Sequence, residues 1–299
     1  MSERRQGVLF GIAAYSVWGL FPLYWPLLRP AGAMEILAHR IVWSLAFMIV
    51  LMARLRSLDW LRAIGGRRLG LLGLAAGLVT VNSMIYIWAV NHGHVLDSSL
   101  GYFMNPLVSV MLGIVFLGER LRRLQWIAIG IAGTAVVVLT LDYGRPPWIA
   151  MSLAVSFGLY GFVKKKAGVP ALASLTVETG LLFLPALGYL LFLESIGTAT
   201  FTHAGLGKDL LFAAGGVITA IPLLCFAAAA NRIPLTLMGL LQYISPALQF
   251  LCGVVIAKEP MPASRWTGFA LVWIGLAVFT VESVLHHRRQ PHLLESAPC

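Results

Sequence analysis

Acidic side chains are scarce in this sequence. It has 12 Asp and Glu in 299 residues, and only 11% of the chain is charged. A soluble domain carries about 25% charged residues, so this chain cannot cover a water-exposed surface. With 59% hydrophobic residues it must use lipid as solvent for much of its area. Cysteine is nearly missing too. Cys225 and Cys252 lie in apolar runs and Cys299 is terminal, which excludes a disulfide framework. There is no phosphate-binding glycine loop, no metal-ligand spacing and no Ser-His-Asp set, and the seven histidines are scattered. These absences argue against an ATPase, a metalloenzyme or a hydrolase. We expect no catalytic residues, no metal and no cofactor. The net charge of +10 does not point to nucleic acid, because the basic residues are spread over short loops between apolar runs.

What is present is long apolar runs. Charged or turn-rich breaks divide them into ten expected spans: 7–27, 34–53, 69–90, 94–117, 124–141, 147–164, 173–193, 209–230, 234–257 and 264–284. About 20 residues suffice to cross a bilayer as a helix, and lipid leaves no other way to satisfy the backbone of such runs. The first run is too long for a signal peptide's apolar region and has no small-residue cleavage site, so it reads as an uncleaved helix. Only "NHGH" (Asn91 to His94) separates the third and fourth spans. A merged helix would be too long for one crossing, so a tight turn is expected there.

Lys and Arg set the orientation. With the N-terminus inside, the inner segments hold sixteen and the outer segments five. The expected protein is multi-pass, with both termini cytoplasmic.

The chain also repeats itself. "GYFMNPLVSVMLGIVFLGE" (Gly101 to Glu119) is echoed by "LQYISPALQFLCGVVIAKE" (Leu241 to Glu259). Pro106 pairs with Pro246, Gly113 with Gly253 and Glu119 with Glu259, each 140 residues apart. The register runs without a gap from about Asn82 to Thr140, and "VWG" at 17–19 faces "LYG" at 159–161 in a slightly different one. Each unit then holds five helices. Five is odd, so the second unit crosses the membrane in the opposite sense, as in many secondary transporters. The expected organisation is a cytoplasmic N-terminus at 1–6, a first five-helix repeat at 7–141, a second at 147–284, and a cytoplasmic tail at 285–299. Each paired proline removes a backbone donor and disturbs its helix one turn earlier. Pro22, Pro26, Pro185 and Pro222 are further kink candidates without a symmetric partner.

"AHRIVWS" (Ala38 to Ser44), "YIWAVN" (Tyr86 to Asn91), "SLGYFMNPL" (Ser99 to Leu107) and the stretch from Gly216 to Phe250 strongly resemble the RarD branch of the EamA group, in the drug/metabolite transporter superfamily. The resemblance covers nearly the whole chain before about His287. It implies an all-α, ten-helix inner-membrane permease with two EamA repeats. Members of the branch carry the name "chloramphenicol-sensitive protein".

Ionisable residues inside a membrane are costly and point to function. Arg40 sits about two turns from the outer end of the second span, with His39 beside it and Glu35 on the face of His39. Arg40 either binds an anionic solute group, snorkels, or neutralises a carboxylate on another helix. Glu178 occupies a similar position in the second half. It either carries a proton or pairs with Arg40, and the pair is slightly favoured. Asp97, at the outer end of the fourth span, is either a solvated helix-start residue or a third candidate for proton or ion coupling with Glu178 and Glu35. Lys164 follows from the positive-inside rule or reaches back toward the cavity. Glu119 and Glu259 read as interfacial anchors or turn formers.

The candidate cavity residues are Trp18, His39, Arg40, Tyr86, Tyr102, Asn105, Pro106, Tyr160, Glu178, Gln242, Tyr243 and Pro246. Their aromatic rings either line a pocket for an aromatic or amphipathic metabolite or simply pack helices. The expected function is secondary transport of a small metabolite or drug-like molecule by alternating access, with H+ coupling as an option. The partners are that solute and the bilayer, with the chain as monomer or homodimer. A membrane enzyme would need a reactive cluster. A sensor or scaffold, a lipid-directed protein and a passive channel are the other readings left open.

Overall fold

The computed structural model describes residues 2–55, 64–117, 123–144, 146–230, 232–233 and 235–289. Among these residues there are twelve α-helices and no strand. They are α1 (Glu3–Gly19), α2 (Phe21–Tyr24), α3 (Ala33–Leu55), α4 (Gly66–Asn91), α5 (Val95–Leu117), α6 (Arg123–Tyr143), α7 (Trp148–Ala167), α8 (Ala171–Ser195), α9 (Leu206–Ala230), α10 (Leu235–Leu241), α11 (Ile244–Leu251) and α12 (Ala263–Arg289). A 3-10 turn (Trp25–Leu28) follows α2, and a π turn (Cys252–Ile256) follows α11.

Six of these helices, α3, α4, α6, α8, α9 and α12, are long and apolar enough to cross a membrane. The pair formed by α1 and segment Phe21–Leu28, bent by 41°, makes a seventh. At about 1.5 Å rise per residue, α5 and α7 also reach the roughly 30 Å of a hydrocarbon core. Large apolar side chains face outward, with Leu141 79% and Leu184 74% exposed. A water-soluble chain does not present so much apolar surface.

The turn expected at Asn91 to His94 is present. Gly93 takes φ +75°, where a side chain would be strained, and the His94 N–H donates back to the Ala89 carbonyl at 2.8 Å. Gly168, at φ +60°, closes α7 in the same way. The two repeat prolines differ. The helix breaks at 242–243, one turn before Pro246, which has no N–H to offer the Gln242 carbonyl. α5 runs through Pro106 without a break, as α8 does through Pro185 and α9 through Pro222. The ninth expected span is therefore two short helices and a π turn. The first span ends in a bent, proline-bearing segment at Phe21–Leu28.

Two main clusters of buried side chains hold the bundle. One joins Trp25, Leu28, Ile36, Leu37, Ile87, Leu153 and Phe212. The other joins Leu96, Phe103, Leu139, Phe250, Phe269 and Val272. Small residues let helices approach closely, as lipid-embedded packing requires. A Cβ on Gly216 of α9 would sit 2.3 Å from the backbone of Trp43 in α3. A Cβ on Gly101 of α5 would sit 2.7 Å from the Ala150 carbonyl oxygen of α7.

One end of the bundle is stitched across helices. Glu35 accepts from the Thr200 N–H at 2.6 Å and hydroxyl at 3.0 Å, and from the Phe201 N–H at 3.3 Å. Glu259 accepts from the N–H groups of Val95 at 2.5 Å and Leu96 at 3.0 Å. Arg29 donates to the Asn91 carbonyl, and Lys208 to the Arg29 carbonyl. Ser264 donates to Asp142 at 2.7 Å. Every one of these groups belongs to an end that the up-and-down path puts on one face.

Candidate functional site

The polar side chains of α3, α4, α5, α7 and α8 converge between the helices. Asn82, Ser83 and Tyr86 follow at helical spacing, so α4 turns one polar stripe inward. Asn82 is the hub, and it is buried. Its amide donates to the Leu153 carbonyl at 3.0 Å and the Ser156 hydroxyl at 2.9 Å. Its carbonyl accepts from the Tyr102 hydroxyl at 3.1 Å. Ser83 accepts from the Arg40 guanidinium at 2.8 Å.

On α7, Ser156, Tyr160 and Lys164 stand four residues apart on one stripe. Tyr160 donates to Glu178 at 3.2 Å, and Lys164 pairs with the same carboxylate at 2.9 Å. Ser174, one turn before Glu178 on α8, donates to it at 2.5 Å. Lys164 also lies over the Tyr160 ring, 5.1 Å from its centroid. Rings wall the group: Tyr86 meets Tyr102 at 5.5 Å, Tyr102 meets Phe157 at 5.9 Å, and Phe157 meets Tyr160 at 5.9 Å.

The slightly favoured pairing of Arg40 with Glu178 is not made. Lys164, only one turn along α7 from Tyr160, takes the carboxylate, and Arg40 turns to α4. Lys164 is thus more than a product of the positive-inside rule. Its stem lets the head reach back into the bundle from the last turn of α7. Arg40 and Tyr102 keep some accessible surface, although they stand among five helices.

The other expected residues sit elsewhere. Trp18 packs with Tyr15 at 5.5 Å and Phe226 at 5.9 Å, an aromatic corner between α1 and α9. Gln242 and Tyr243 occupy the break between α10 and α11. Pro246 is buried beside α5, and its carbonyl accepts from Ser99 at 2.8 Å. Asn105 lies about one turn along α5 from Tyr102, and its buried Oδ1 has no partner. Pro106 follows it within the unbroken helix.

His39 is buried between the rings of Phe201 and Phe212, at 4.6 and 4.5 Å. Glu35 and Glu259 are backbone caps. Asp97 pairs with His94 at 3.1 Å and Arg265 at 3.5 Å at the same end of the bundle. Glu119 lies outside the described residues. Among the described residues no cluster of His, Cys, Asp and Glu fits a metal ion.

A cavity of about 360 Å³ opens away from the polar corner, beside the bent segment of α2. Its lining includes Pro22, Pro26, Arg29, Gly93, Val95 and Cys252. It is mostly apolar, and the Arg29 guanidinium is already engaged by Asn91. We therefore place the candidate site at the polar corner.

Sequence reasoning missed Asn82, Ser83 and Ser156. Asn82 was visible as the one amide inside an apolar run of α4, directly followed by a serine. Nothing local showed that Ser156 would face it.

The EamA-like transporter family model matches residues 5–141. A protein named RarD from Streptomyces exfoliatus is 52% identical over 298 residues, covering 99% of this chain and 95% of that protein. An uncharacterized transporter of Bacillus subtilis (strain 168) is 45% identical over 289 residues, covering 95% of this chain and 96% of that protein. A solved crystal structure aligns with a TM-score of 0.59 and 23% identity, over 93% of this chain and 98% of the other. At that identity it speaks for the fold alone.

Proposed function

We propose that this chain, which belongs to the EamA-like transporter family and to its RarD branch, is a secondary transporter. It moves a small metabolite or drug-like solute across the inner membrane by alternating access, through a midplane cavity between two inverted five-pass repeats. In this reading α1 with α2 forms the first pass and α10 with α11 the ninth. The other eight long helices complete ten.

The observation that carries the reading is the packing scheme. Exchange every pass with the one five further on, and the principal contacts map onto themselves. The contact of α5 with α7 becomes that of α11 with α1. That of α4 with α7 becomes α9 with α1, and that of α3 with α9 becomes α8 with α4. Contacts α3–α8, α5–α11 and α6–α12 each return to themselves. Smaller contacts of α5 with α12 and α6, and of α4 with the 3-10 turn at Trp25–Leu28, have no counterpart of similar strength among the described residues. Two halves that pack equivalently in opposite orientation can trade conformations, and the trade moves a central site from one face to the other. The distribution of Lys and Arg supports both termini in the cytoplasm. Glu178, paired but inside the membrane, is the candidate for ion coupling.

Counterflow tests this. Purified protein in liposomes preloaded with unlabelled solute should concentrate the labelled solute transiently, which a channel cannot do. The panel is amino acids, nucleosides, aromatic acids and chloramphenicol. Absence of counterflow across the panel, while a known carrier in parallel vesicles shows it, would overturn the proposal.

A further inference from the structure

Among the described residues Arg40 pairs with no carboxylate. A guanidinium offers five N–H donors. Its one hydrogen-bonded partner among the described residues is the Ser83 hydroxyl. The hydroxyls of Tyr102 and Tyr160 lie within electrostatic reach, yet both already donate elsewhere, to Asn82 and Glu178. Glu178 is the carboxylate of this corner, and Lys164, Tyr160 and Ser174 take it up. Around Tyr160, then, two cations share one anion.

A second observation is independent of charge. The Tyr86 hydroxyl is buried, with the residue 4% exposed, and has no partner. It stands one turn from Ser83 on α4, with its ring against Tyr102. The Asn105 carbonyl oxygen, further along α5, is also unpartnered. Buried polar groups are left open at a real energetic cost, and a buried charge without its counter-ion costs more.

We propose that Arg40 and Tyr86 bind the carboxylate of the transported solute, a singly charged organic anion with an apolar or aromatic body. The inference rests on the transporter reading above. The guanidinium fork matches a planar carboxylate with two parallel hydrogen bonds, and the Tyr86 hydroxyl donates a third. The rings of Tyr102, Phe157 and Tyr160 flank the body. One free guanidinium with neutral donors balances one negative charge. A phosphate would call for a second cation, and Lys164 is already committed to Glu178.

The test is binding, read as the melting temperature of the purified full chain in detergent at fixed ionic strength. The probes are acetate, benzoate, phenylacetate and 3-phenylpropanoate, each against its own amide, with chloride as the inorganic anion. At least one carboxylate should raise the melting temperature where its amide does not, and chloride should do nothing. Arg40→Gln should weaken binding about 10- to 100-fold. Arg40→Lys should keep the charge yet weaken binding, and Tyr86→Phe should weaken it less.

Amides that match their carboxylates, chloride that matches both, or Arg40→Gln and Tyr86→Phe that bind as wild type each overturn the inference. So does a panel in which no carboxylate binds. Counterflow separates the two readings. Neutral solutes moving while carboxylates do not would sink the anion site and leave the transporter standing. Carboxylate binding without any counterflow would do the reverse.

Discussion

The corner made by α4, α5 and α7 is wired with hydrogen bonds, while the corner made by α9, α10–α11 and α1 is packed with rings. The proposed repeat pairs these two corners. The 140-residue register sets Asn82 against Pro222, Tyr86 against Phe226 and Tyr102 against Gln242. The register of "VWG" and "LYG" sets Trp18 against Tyr160, and so Ala14 against Ser156. The backbone scheme is shared and the chemistry is not. Ring pairs persist in both, Tyr15 with Trp18 at 5.5 Å and Phe157 with Tyr160 at 5.9 Å. The hub amide and its hydroxyl partner occur in one corner only. A satisfied polar network fixes one geometry, whereas rings slide past one another at little cost. In the proposed repeat, duplication would supply two exchangeable halves, and the divergence of their inner faces would leave the polar recognition to one of them.

The sharpest way to break the comparison is at a helix contact that exchange of the halves should make equivalent. α3 meets α9 at Gly216, where an added Cβ would strike the Trp43 backbone at 2.3 Å. Its counterpart, α8 against α4, has Gly73, whose Cβ would meet Leu181 at a comfortable 3.8 Å. Gly216→Ala should cost about 2–3 kcal/mol, because backbone cannot step aside as a side chain does. Gly73→Ala should be neutral or gain up to about 1 kcal/mol from helix propensity. Unfolding in mixed micelles measures both. Equal effects would show that the two contacts are alike after all.

Next in size is the hub. Asn82→Leu removes three hydrogen bonds and strands the Tyr102 hydroxyl, while Ser156 keeps its bond to the Ser152 carbonyl. Interhelical hydrogen bonds in membranes average about 0.6 kcal/mol, and stranded buried groups cost about 1–3 kcal/mol. A loss of about 1–3 kcal/mol is expected. Phe226→Leu, in the ring-packed corner, removes no hydrogen bond and should cost less. The opposite order would reverse our assignment of the rigid corner.

The bundle was legible in the sequence, and the wiring was not. Apolar runs fix helices because lipid permits nothing else, so the expected ends of α4 to α9 fall within a few residues of the observed ones. The Pro246 break was readable from the missing donor. The continuity of α5 through Pro106 was not, because packing against α7 and α11 decides whether a proline helix stays whole. Arg40, Glu178, Tyr102 and Tyr160 do converge on one corner, but their partners were misassigned. Spacing along one helix shows which residues share a face. It does not show that Lys164 from the end of α7 arrives at Glu178 before Arg40 does.

That ion pair gives the third prediction. Lys164→Met leaves the Glu178 carboxylate with only Tyr160 and Ser174. Breaking a fully buried pair costs about 3–5 kcal/mol. Lys164 is 20% exposed, so water softens the loss, and about 1–2 kcal/mol is expected. Lys164→Arg should recover most of it. If Lys164→Met is as stable as the parent, the pair is not holding α7 to α8.

The smallest expected effect separates the two carboxylate caps. Both accept N–H groups from a helix approach on the stitched end, Glu35 from Thr200 and Phe201 and Glu259 from Val95 and Leu96. Burial raises the Glu259 carboxyl above its ordinary value. The Leu96 and Val95 amides and Arg265 pull it partly back, and Asp97 adds to the rise. A carboxyl whose folded value is raised binds its proton more readily folded than unfolded. Its contribution is therefore full below the ordinary carboxylate range and falls as pH rises through the raised value. Parent protein should lose a little stability relative to Glu259→Gln as pH climbs from about 4 to neutrality. Melting temperatures of the two proteins across that range measure the difference. A gap that grows in favour of the parent would mean that the two amides govern the carboxylate more strongly than burial does. Glu259 would then be a firm latch between the end of the π turn and the start of α5, one that closes harder as it ionises.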